Sequence, residues 1–368
     1  MKKEKRFGIL RLYGGASGQA GYYNLQEMGL ARALVKRGYE VVIFLLQKGG
    51  RISEERLEEH MTMVHLPARI MGNQSCFPLS LLDHYPVEIL QIQSDNQIFA
   101  PSVMKYCRGR GIKFYNYIGV VESHSISKWK RCLMNLLFRR NLKYLKQSAV
   151  FAKTDAVREQ LDSLGVPNVI VAPVGLDTEV IPVIPQDKND LREKLQLPIQ
   201  KKLLIFVGRL EEYKKPLHMI ALMEQLPEEY DLILIGKGSQ KEKVFDKIRS
   251  EHLEKRIHYL EAVPNKEIHQ YLKAADYFIN LNEKEIFGMG ILEAMYQGCV
   301  VIAIKAPGPC MMIEDGKSGF LVEEIGEIPE KLKQGSQIMG EYAAAKVRKS
   351  YTWDETCSRI LQQIGEDV

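Results

Sequence analysis

Short apolar runs of strand length alternate with segments of helical periodicity from one end of this 368-residue chain to the other. The runs are almost continuously apolar, which is typical of strands covered by helices on both faces. They predict strands at 7–13, 41–46, 88–93, 113–118, 149–154, 169–174, 203–208, 231–236, 257–263, 277–282 and 300–304. The clearest helical patterns between them lie at 24–37, 128–146, 215–226, 265–274 and 289–298. This alternation predicts an α/β fold built from doubly wound parallel sheets.

The length of the chain is that of two such domains. The segment 180–190 contains two prolines followed by charged residues, a composition typical of a linker. We therefore predict a first Rossmann-like domain over 1–180 and a second over 181–351. A last helix is predicted from about Thr352 to Ile364.

Composition excludes several classes of protein. Hydrophobic residues make up 45% and charged residues 26%, so collagen-like, coiled-coil and disordered chains are excluded. No apolar run approaches the roughly 18 residues that span a bilayer. Arg11 interrupts the N-terminal apolar run and no cleavage site follows, so no signal peptide is expected. The six cysteines form no CxxC pair, which argues against zinc or disulfides and predicts a cytoplasmic protein.

Charge is distributed unevenly between the two halves of the chain. Residues 1–180 contain 25 Lys and Arg against 16 Asp and Glu, whereas residues 181–368 contain 26 against 30. An excess of this kind indicates an anionic partner for the first half.

One stretch of the first half is particularly basic. Residues 123–154 contain eight Lys or Arg and no acidic residue, and within them 128–146 combines helical apolar spacing with a basic polar face. Such a helix suits an anionic membrane surface or an anionic acceptor, which predicts a protein peripheral to the inner membrane leaflet. An ordinary domain helix with a solvated basic face is the alternative. No recognition motif for nucleic acid accompanies the stretch, so no nucleic-acid partner is expected.

A glycine-rich turn, 14–24, follows the first predicted strand and precedes the first predicted helix. Ligands of open α/β sheets bind at the carboxyl ends of strands, where glycine lets the backbone approach them. Gly18 and Gly21 are therefore the residues expected to contact donor or acceptor, and a turn without a ligand is the alternative. The turn has neither the dinucleotide-binding nor the phosphate-loop spacing, so an NTPase is not supported.

The second half carries cations directly after a predicted strand. Gly208 ends the strand, Arg209 leaves it, and Lys214 and Lys215 follow closely. Alone, these residues have the composition of a solvated basic patch. A glycine turn at 235–239 follows the next strand and is weak evidence by itself.

The most informative segment is 280–298, where a loop carrying Glu285 leads into a helix carrying Glu293. The amides of Phe287, Gly288 and Met289, at the start of that helix, are expected to point at whatever precedes it. The arrangement predicts an anion site with two carboxylates beside it that accept hydrogen bonds from hydroxyl groups.

As a set, these residues resemble the retaining nucleotide-sugar glycosyltransferases of the GT-B fold, family four of the sequence classification. GT-B implies two Rossmann-like domains facing a central cleft. The resemblance covers nearly the whole chain. The segments that carry it are GRL and the following lysine at 208–214, EIFGMGILE at 285–293, EAMYQG at 293–298, DGKSGFLV at 315–322, TDAVREQLDSLGV at 154–166, VIVAPVGLD at 169–177, LARALVKRGYEV at 30–41 and YTWDE at 351–355.

The resemblance implies a role for each matching residue. Arg209 and Lys214 would neutralise the departing nucleoside diphosphate, because the chain has no DxD motif to hold a metal ion for this purpose. Glu285 would hold hydroxyls of the donor sugar and Glu293 those of the ribose, while Val263 would lie near the base. The remaining expected donor contacts are Gly208, Ile286, Phe287, Gly288 and Met289.

The implied function is transfer of a sugar, with retention of anomeric configuration and no obligatory metal or other cofactor. The donor is a nucleotide-sugar, with UDP-sugars favoured over GDP-sugars, and the acceptor is a glycan, a lipid-linked molecule or another compound in cell-envelope or polysaccharide synthesis. The second domain would bind the donor and the first the acceptor, with the C-terminal helix 352–368 packed back on the first domain.

The chain also departs from the family pattern. Family members usually carry a histidine where strand 113–118 ends, whereas here Ile118 and Gly119 stand there and His124 is the nearest histidine. Glu261 and Ala262 stand where the family often has glycine. A non-catalytic partner subunit of a transferase and a nucleotide-sugar epimerase of the same fold are therefore the alternatives. A paired-carboxylate hydrolase is less favoured, because it leaves Arg209 and Lys214 without a role.

Overall fold

The computed structural model describes residues 5–14, 26–122 and 128–366. The chain divides into two compact units. The first unit comprises Met1–Gly175 together with Trp353–Val368, and the second comprises Leu176–Thr352. The limits of 1–180 and 181–351 remain sequence predictions.

The first unit is built on a nine-stranded sheet. Its strands run in the order β3-β4-β2-β1-β6-β7-β8-β9, with β5 paired to β4. All pairs from β4 to β9 along this order are parallel. The strands are β1 (Arg6–Arg11), β2 (Glu40–Lys48), β3 (Ser53–Glu58), β4 (Met61–Met71), β5 (Gln74–Cys76), β6 (Ile89–Gln93), β7 (Lys113–Ile118), β8 (Ala149–Ala152) and β9 (Ile170–Val171).

The prediction of an α/β fold with doubly wound parallel sheets is confirmed, but the sequence pattern missed β3, β4 and β5 of this unit and the strand Gly319–Val322 of the second unit. Strands β3 and β5 pair with β4 in antiparallel orientation. β3 has the sequence SEERLE and is almost wholly exposed, so it carries no apolar signal. Charged side chains of this kind are common on edge strands, where they discourage pairing with other chains.

Helices cover the sheet of the first unit. They are α1 (Gln26–Val35), α2 (Ala100–Arg110), α3 (Lys128–Leu145) and α4 (Asp155–Ser163). Strand β8 ends at Ala152, earlier than the predicted 154, because Thr154 caps α4 by accepting a hydrogen bond from the amide of Val157.

The second unit contains six parallel strands in the order β12-β11-β10-β13-β14-β15. They are β10 (Lys202–Val207), β11 (Tyr230–Ile235), β12 (Ile257–Leu260), β13 (Tyr277–Asn280), β14 (Val300–Ile304) and β15 (Gly319–Val322). The helices are α5 (Lys188–Lys194), α6 (Pro216–Gln225), α7 (Lys241–Ser250), α8 (Asn265–Ala274), α9 (Met289–Tyr296), α10 (Pro307–Met312), α11 (Ile328–Gln334) and α12 (Gln337–Ser350).

The central strands of the second unit are buried on both faces. Leu203, Leu204 and Ile205 of β10 are completely inaccessible to solvent, and alternate residues belong to two apolar clusters on opposite sides of the sheet. Burial on both faces explains why the sequence of these strands is continuously apolar.

The last helix, α13 (Trp353–Gln363), belongs to the first unit. Trp353 lies so close to Gly29 of α1 that a β-carbon at Gly29 would be 2.0 Å from the indole ring. Arg37 pairs with Asp354 at 3.1 Å, and the hydroxyl of Thr356 donates to the carbonyl of Pro173. Within the described part of the chain, no helix is long and apolar enough to cross a membrane.

Candidate functional site

The order of strands reverses beside β10 in the second unit. The chain runs outward from β10 through β11 to β12, and then returns to the other side of β10 with β13. Open parallel sheets bind ligands outside the carboxyl ends of the strands at such a reversal. The residues that follow β10 and β13 therefore form the candidate site.

The residues after β10 supply two cations. Arg209 is exposed, and its guanidinium lies 5.4 Å from the centre of the Tyr213 ring. Lys214 ends a short 3₁₀ helix, Glu212–Lys214, and its Nζ lies 5.6 Å from the centre of the same ring. Tyr213, which the sequence analysis did not single out, thus holds both side chains by cation–π contact.

The residues after β13 supply a carboxylate with three hydrogen-bond donors. Oε2 of Glu285 accepts from Lys214 Nζ at 2.5 Å, from Asn282 Nδ2 at 3.1 Å and from Asn280 Nδ2 at 3.4 Å. The two asparagines are fixed in turn, because Oδ1 of each accepts a backbone amide two residues further along the chain. Asparagine is common in such turns, so the sequence indicates the turn itself. The spacing of the two asparagines does not reveal that they also donate hydrogen bonds to Glu285.

The environment of Glu285 keeps its carboxylate ionised. Burial alone would raise its pKa, but the charge of Lys214 and the hydrogen bonds from Lys214, Asn282 and Asn280 outweigh burial, so the pKa lies below its usual value. The side chains of Lys214 and Glu285 are 23% and 15% exposed, so the pair is largely shielded from water. A shielded ion pair at this edge of the sheet holds both charges in fixed positions.

The loop between Glu285 and α9 leaves backbone amides available. Gly288 has a φ of 98° and precedes the helix, and its carbonyl accepts from Ile291. No described residue accepts a hydrogen bond from the amides of Phe287, Gly288 or Met289. Unpaired amides at a helix start favour an anionic ligand.

A close backbone contact with Gly308 fixes the loop between Glu285 and α9. The amide of Gly308, in α10, donates to the carbonyl of Glu285 at 2.9 Å. A β-carbon at Gly308 would be only 2.0 Å from the carbonyl oxygen of Phe287. The local sequence around Gly308 does not predict this contact, because the residue that requires glycine at 308 is Phe287, which is distant along the chain.

The glycine turn at 235–239, after β11, also fixes a neighbouring segment through close backbone contacts. A β-carbon at Gly236 would be 1.8 Å from the carbonyl oxygen of Gly208, and one at Gly238 would be 2.5 Å from that of Leu210. Ser239 donates to the carboxylate of Glu211 from both its amide and its hydroxyl. These contacts fix the segment that carries Arg209.

The other predicted contacts lie at the same edge or close to it. Val263 is half-buried three residues beyond the end of β12, and Ile286 is 38% exposed. Glu293 lies in the second turn of α9 and is 3% exposed. The role of Glu293 toward a ribose stays a prediction.

Three residues from the sequence analysis, Gly18, Gly21 and His124, lie outside the described residues. In the described ranges, no group of three or more His, Cys, Asp or Glu side chains is arranged to hold a metal ion. The site therefore offers two cations, one ionised carboxylate and free amides, a set suited to a phosphate group linked to a hydroxyl-rich group.

The known proteins that this chain resembles agree with this interpretation of the site. Residues 187–334 match a protein-family model described as glycosyl transferases group 1. Among curated proteins, the chain is similar to the D-inositol 3-phosphate glycosyltransferase of Xylanimonas cellulosilytica, with 22% identity over 94% of this chain and 91% of the relative. Matches to other curated relatives span about half of each relative's length.

Solved structures share the fold. The sucrose-phosphate synthase of Thermosynechococcus elongatus is similar with a TM-score of 0.77 at 16% identity, covering 98% of each chain. Anabaena Alr3699/HepE in complex with UDP is similar with a TM-score of 0.75 at 16% identity, covering 98% of this chain and 99% of that chain. These likenesses show the fold of the chain.

Proposed function

We propose that the chain is a glycosyltransferase that transfers a sugar from a nucleotide-sugar to an acceptor hydroxyl with retention of configuration, because residues 187–334 match the group 1 glycosyltransferase model and the chain has the two Rossmann-like domains of the GT-B fold. The ion pair between Lys214 and Glu285 carries this proposal. It joins a diphosphate-binding cation to a sugar-binding carboxylate at the reversal of strand order, where the ligands of such sheets bind.

The proposed chemistry assigns each group a charge-related task. The bond between the anomeric carbon and the diphosphate oxygen breaks, the oxygen of the acceptor hydroxyl forms the new bond to that carbon on the same face, and the hydroxyl proton passes to the departing diphosphate. The nucleoside diphosphate carries additional negative charge as it leaves. Arg209, Lys214 and the free amides of 287–289 stabilise that charge. Glu285 accepts hydrogen bonds from hydroxyls of the donor sugar and fixes its orientation.

We further propose that no divalent ion is obligatory, because two protein cations and several amides are available for the departing phosphates. Fixed donors of this kind stabilise developing charge in the way that a bound cation does. A UDP-sugar is the proposed donor, since the structural relative HepE was solved with UDP. A glycan or lipid-linked molecule of the cell envelope is the proposed acceptor.

Helix α3 supports a peripheral position at the inner leaflet of the membrane. Trp129 and Leu136 are 88% and 60% exposed. Arg139, Arg140 and Lys143 are exposed further along the helix at spacings that continue the same face. Apolar side chains in line with basic ones suit insertion at the surface of an anionic bilayer.

The test of the proposed function begins with binding. Thermal unfolding of the purified chain is measured with UDP, GDP, UDP-sugars and GDP-sugars, since a ligand at 100 times its dissociation constant adds about 2.7 kcal/mol of stability. UDP and at least one UDP-sugar are expected to raise the melting temperature. A chain stabilised by none of these nucleotides would not be a nucleotide-sugar transferase.

Turnover of the stabilising donor then separates the alternatives. A transferase releases the free nucleotide in an acceptor-dependent reaction. An epimerase releases an isomerised sugar with no acceptor present, and a non-catalytic partner subunit binds the donor without turnover when it is alone.

A further inference from the structure

The carboxyl ends of the strands of the first unit carry a second group of polar side chains, which the proposed donor chemistry does not use. Asp95 follows β6, Gly119 follows β7 and Lys153 follows β8. The strand order also reverses in this sheet, because β2 and β6 lie on opposite sides of β1. Ligand binding is therefore expected at this edge as well.

Asp95 is held by the backbone through one of its oxygens. Its Oδ1 accepts from the amide of Gly119 at 2.6 Å and from the amide of Val120 at 3.0 Å. No described residue donates to Oδ2. The carboxylate of Asp95 is half-buried and held in place. Its Oδ2 is therefore suited to accept a hydrogen bond from a ligand hydroxyl.

Lys153 is a lysine whose contacts in the described residues include no carboxylate. Its Nζ donates to the side-chain oxygen of Gln26 at 3.2 Å and lies 5.0 Å from the centre of the Tyr117 ring. Its stem covers Gly119, where a β-carbon would be 2.7 Å from Lys153 Cδ. Neutral partners position the ammonium group without neutralising its charge.

The surrounding acidic side chains do not remove this charge. Glu27 pairs with Arg11 at 3.7 Å, and both side chains are largely buried. Asp95 makes its hydrogen bonds to backbone amides. The hydroxyl of Tyr117 is buried and makes no hydrogen bond to a described residue. Among the described residues at this edge, Lys153 is a cation that no carboxylate contacts, so it can attract an anion.

We propose that Asp95 and Lys153 bind an acceptor sugar that carries an anionic group, either a phosphate or a carboxylate. Lys153 pairs with the anion, and Asp95 accepts a hydrogen bond from a hydroxyl of the same molecule. This inference rests on the proposed function, because it names the chemical class of the acceptor in the sugar transfer.

The test measures binding of three soluble probes to the full chain by calorimetry: D-glucose, D-glucuronate and D-glucose 6-phosphate. At least one charged sugar is expected to bind about tenfold or more tightly than glucose. The preferred anion distinguishes a phosphate-bearing from a carboxylate-bearing acceptor. Lys153→Ala should abolish the preference, and Lys153→Arg should retain most of it.

Lys105→Ala provides the matched control. Lys105 also lies over a tyrosine ring, at 5.5 Å from the centre of Tyr144, but it belongs to α2 and not to the strand ends. Its removal should leave the affinity for all three probes unchanged. Equal affinity of the unmodified chain for charged and neutral sugars, or an unchanged preference in Lys153→Ala, would overturn the inference.

The same samples are titrated with UDP, which separates this inference from the proposed function. UDP binding that is equal in the unmodified chain and in Lys153→Ala, together with loss of the charged-sugar preference, supports the acceptor site. If UDP binds and Lys153→Ala leaves the preference for charged sugars unchanged, the acceptor site is overturned but the proposed function is not. Absence of UDP binding to the unmodified chain instead contradicts the proposed function.

Discussion

Lys214 and Glu285 form an ion pair of 2.5 Å between the two strand ends that flank the reversal of strand order in the second unit. The neighbouring lysine, Lys215, pairs with Glu283 instead. Lys215 has a φ of 56°, and the backbone turns there into α6. Lys214 and Glu285 therefore form a shielded ion pair, whereas Lys215 forms a pair with Glu283, whose side chain is 56% exposed.

Replacing Glu285 should impair sugar transfer more than nucleotide binding. Glu285→Gln removes the charge that is proposed to orient the donor sugar, so kcat should fall about 10²–10³-fold while UDP affinity changes little. Steady-state kinetics and UDP titration measure the two effects. Glu283→Gln is the matched control and should retain activity, since Glu283 pairs only at the surface. Equal loss of transfer and UDP affinity in Glu285→Gln would reject its assignment to the sugar.

The cations at 209 and 214 should replace the need for a metal ion. Transfer should therefore persist in EDTA, and Lys214→Ala or Arg209→Ala should each lower kcat by about 10²–10³-fold. Lys202→Ala is the control, because Lys202 lies at the opposite end of β10 and pairs with Glu229. Activity lost in EDTA and restored by Mg²⁺ would contradict the proposal.

Gly308 should be necessary for the position of the Glu285 loop. Gly308→Ala places a β-carbon about 2.0 Å from the carbonyl oxygen of Phe287, and overpacking of this kind typically costs about 1–3 kcal/mol. We expect a lower melting temperature and weaker UDP binding. Gly326→Ala meets no atom within 4 Å and should change neither quantity. An unaffected Gly308→Ala protein would show that the loop tolerates displacement.

His269 should make folding stability depend on pH. Burial lowers the pKa of His269, in α8, from 6.5 to about 4. Between pH 6.5 and 4, the imidazole is therefore protonated in the unfolded chain but not in the folded chain. The contribution of His269 to the free energy of unfolding is present above pH 6.5 and is lost as pH falls toward 4, by up to about 3 kcal/mol. Denaturant unfolding of His269→Gln should show a smaller loss over this range, whereas exposed His218→Gln should behave like the unmodified chain.

Helix α3 should mediate binding to anionic membranes. The double variant Trp129→Ser and Leu136→Ser removes the exposed apolar groups and should reduce co-sedimentation with anionic liposomes several-fold at low salt. Ile338→Ser, which removes a 77% exposed apolar side chain from the second unit, is the control. If the unmodified chain fails to sediment with these liposomes, the membrane proposal is wrong.

Much of the fold could be predicted because the central strands are buried on both faces. Strand 300–304 and helix 265–274 were predicted with the bounds that the structure has. The exposed edge strand β3 was missed, since an edge strand needs no apolar residues to pair. Burial alone was not sufficient, because the largely buried strands β4 and β15 were also missed.

The sequence by itself determined which chemical groups are available: Arg209, Lys214 and Lys215, Glu285 in a loop, Glu293 in a helix, and glycines beside them. Only the tertiary structure decided that Lys214 and not Lys215 contacts Glu285, that Asn280 and Asn282 support this carboxylate, and that Gly308 lies against Phe287. The reason is physical. Composition and periodicity report burial and local conformation, whereas the contacts of Lys214 with Glu285 and of Gly308 with Phe287 join residues far apart in the chain that only the pairing of β10 with β13 and of β13 with β14 brings together. Asn280 and Asn282 are close to Glu285 in the chain, and only the conformation of the folded loop turns both amide groups toward the same carboxylate oxygen.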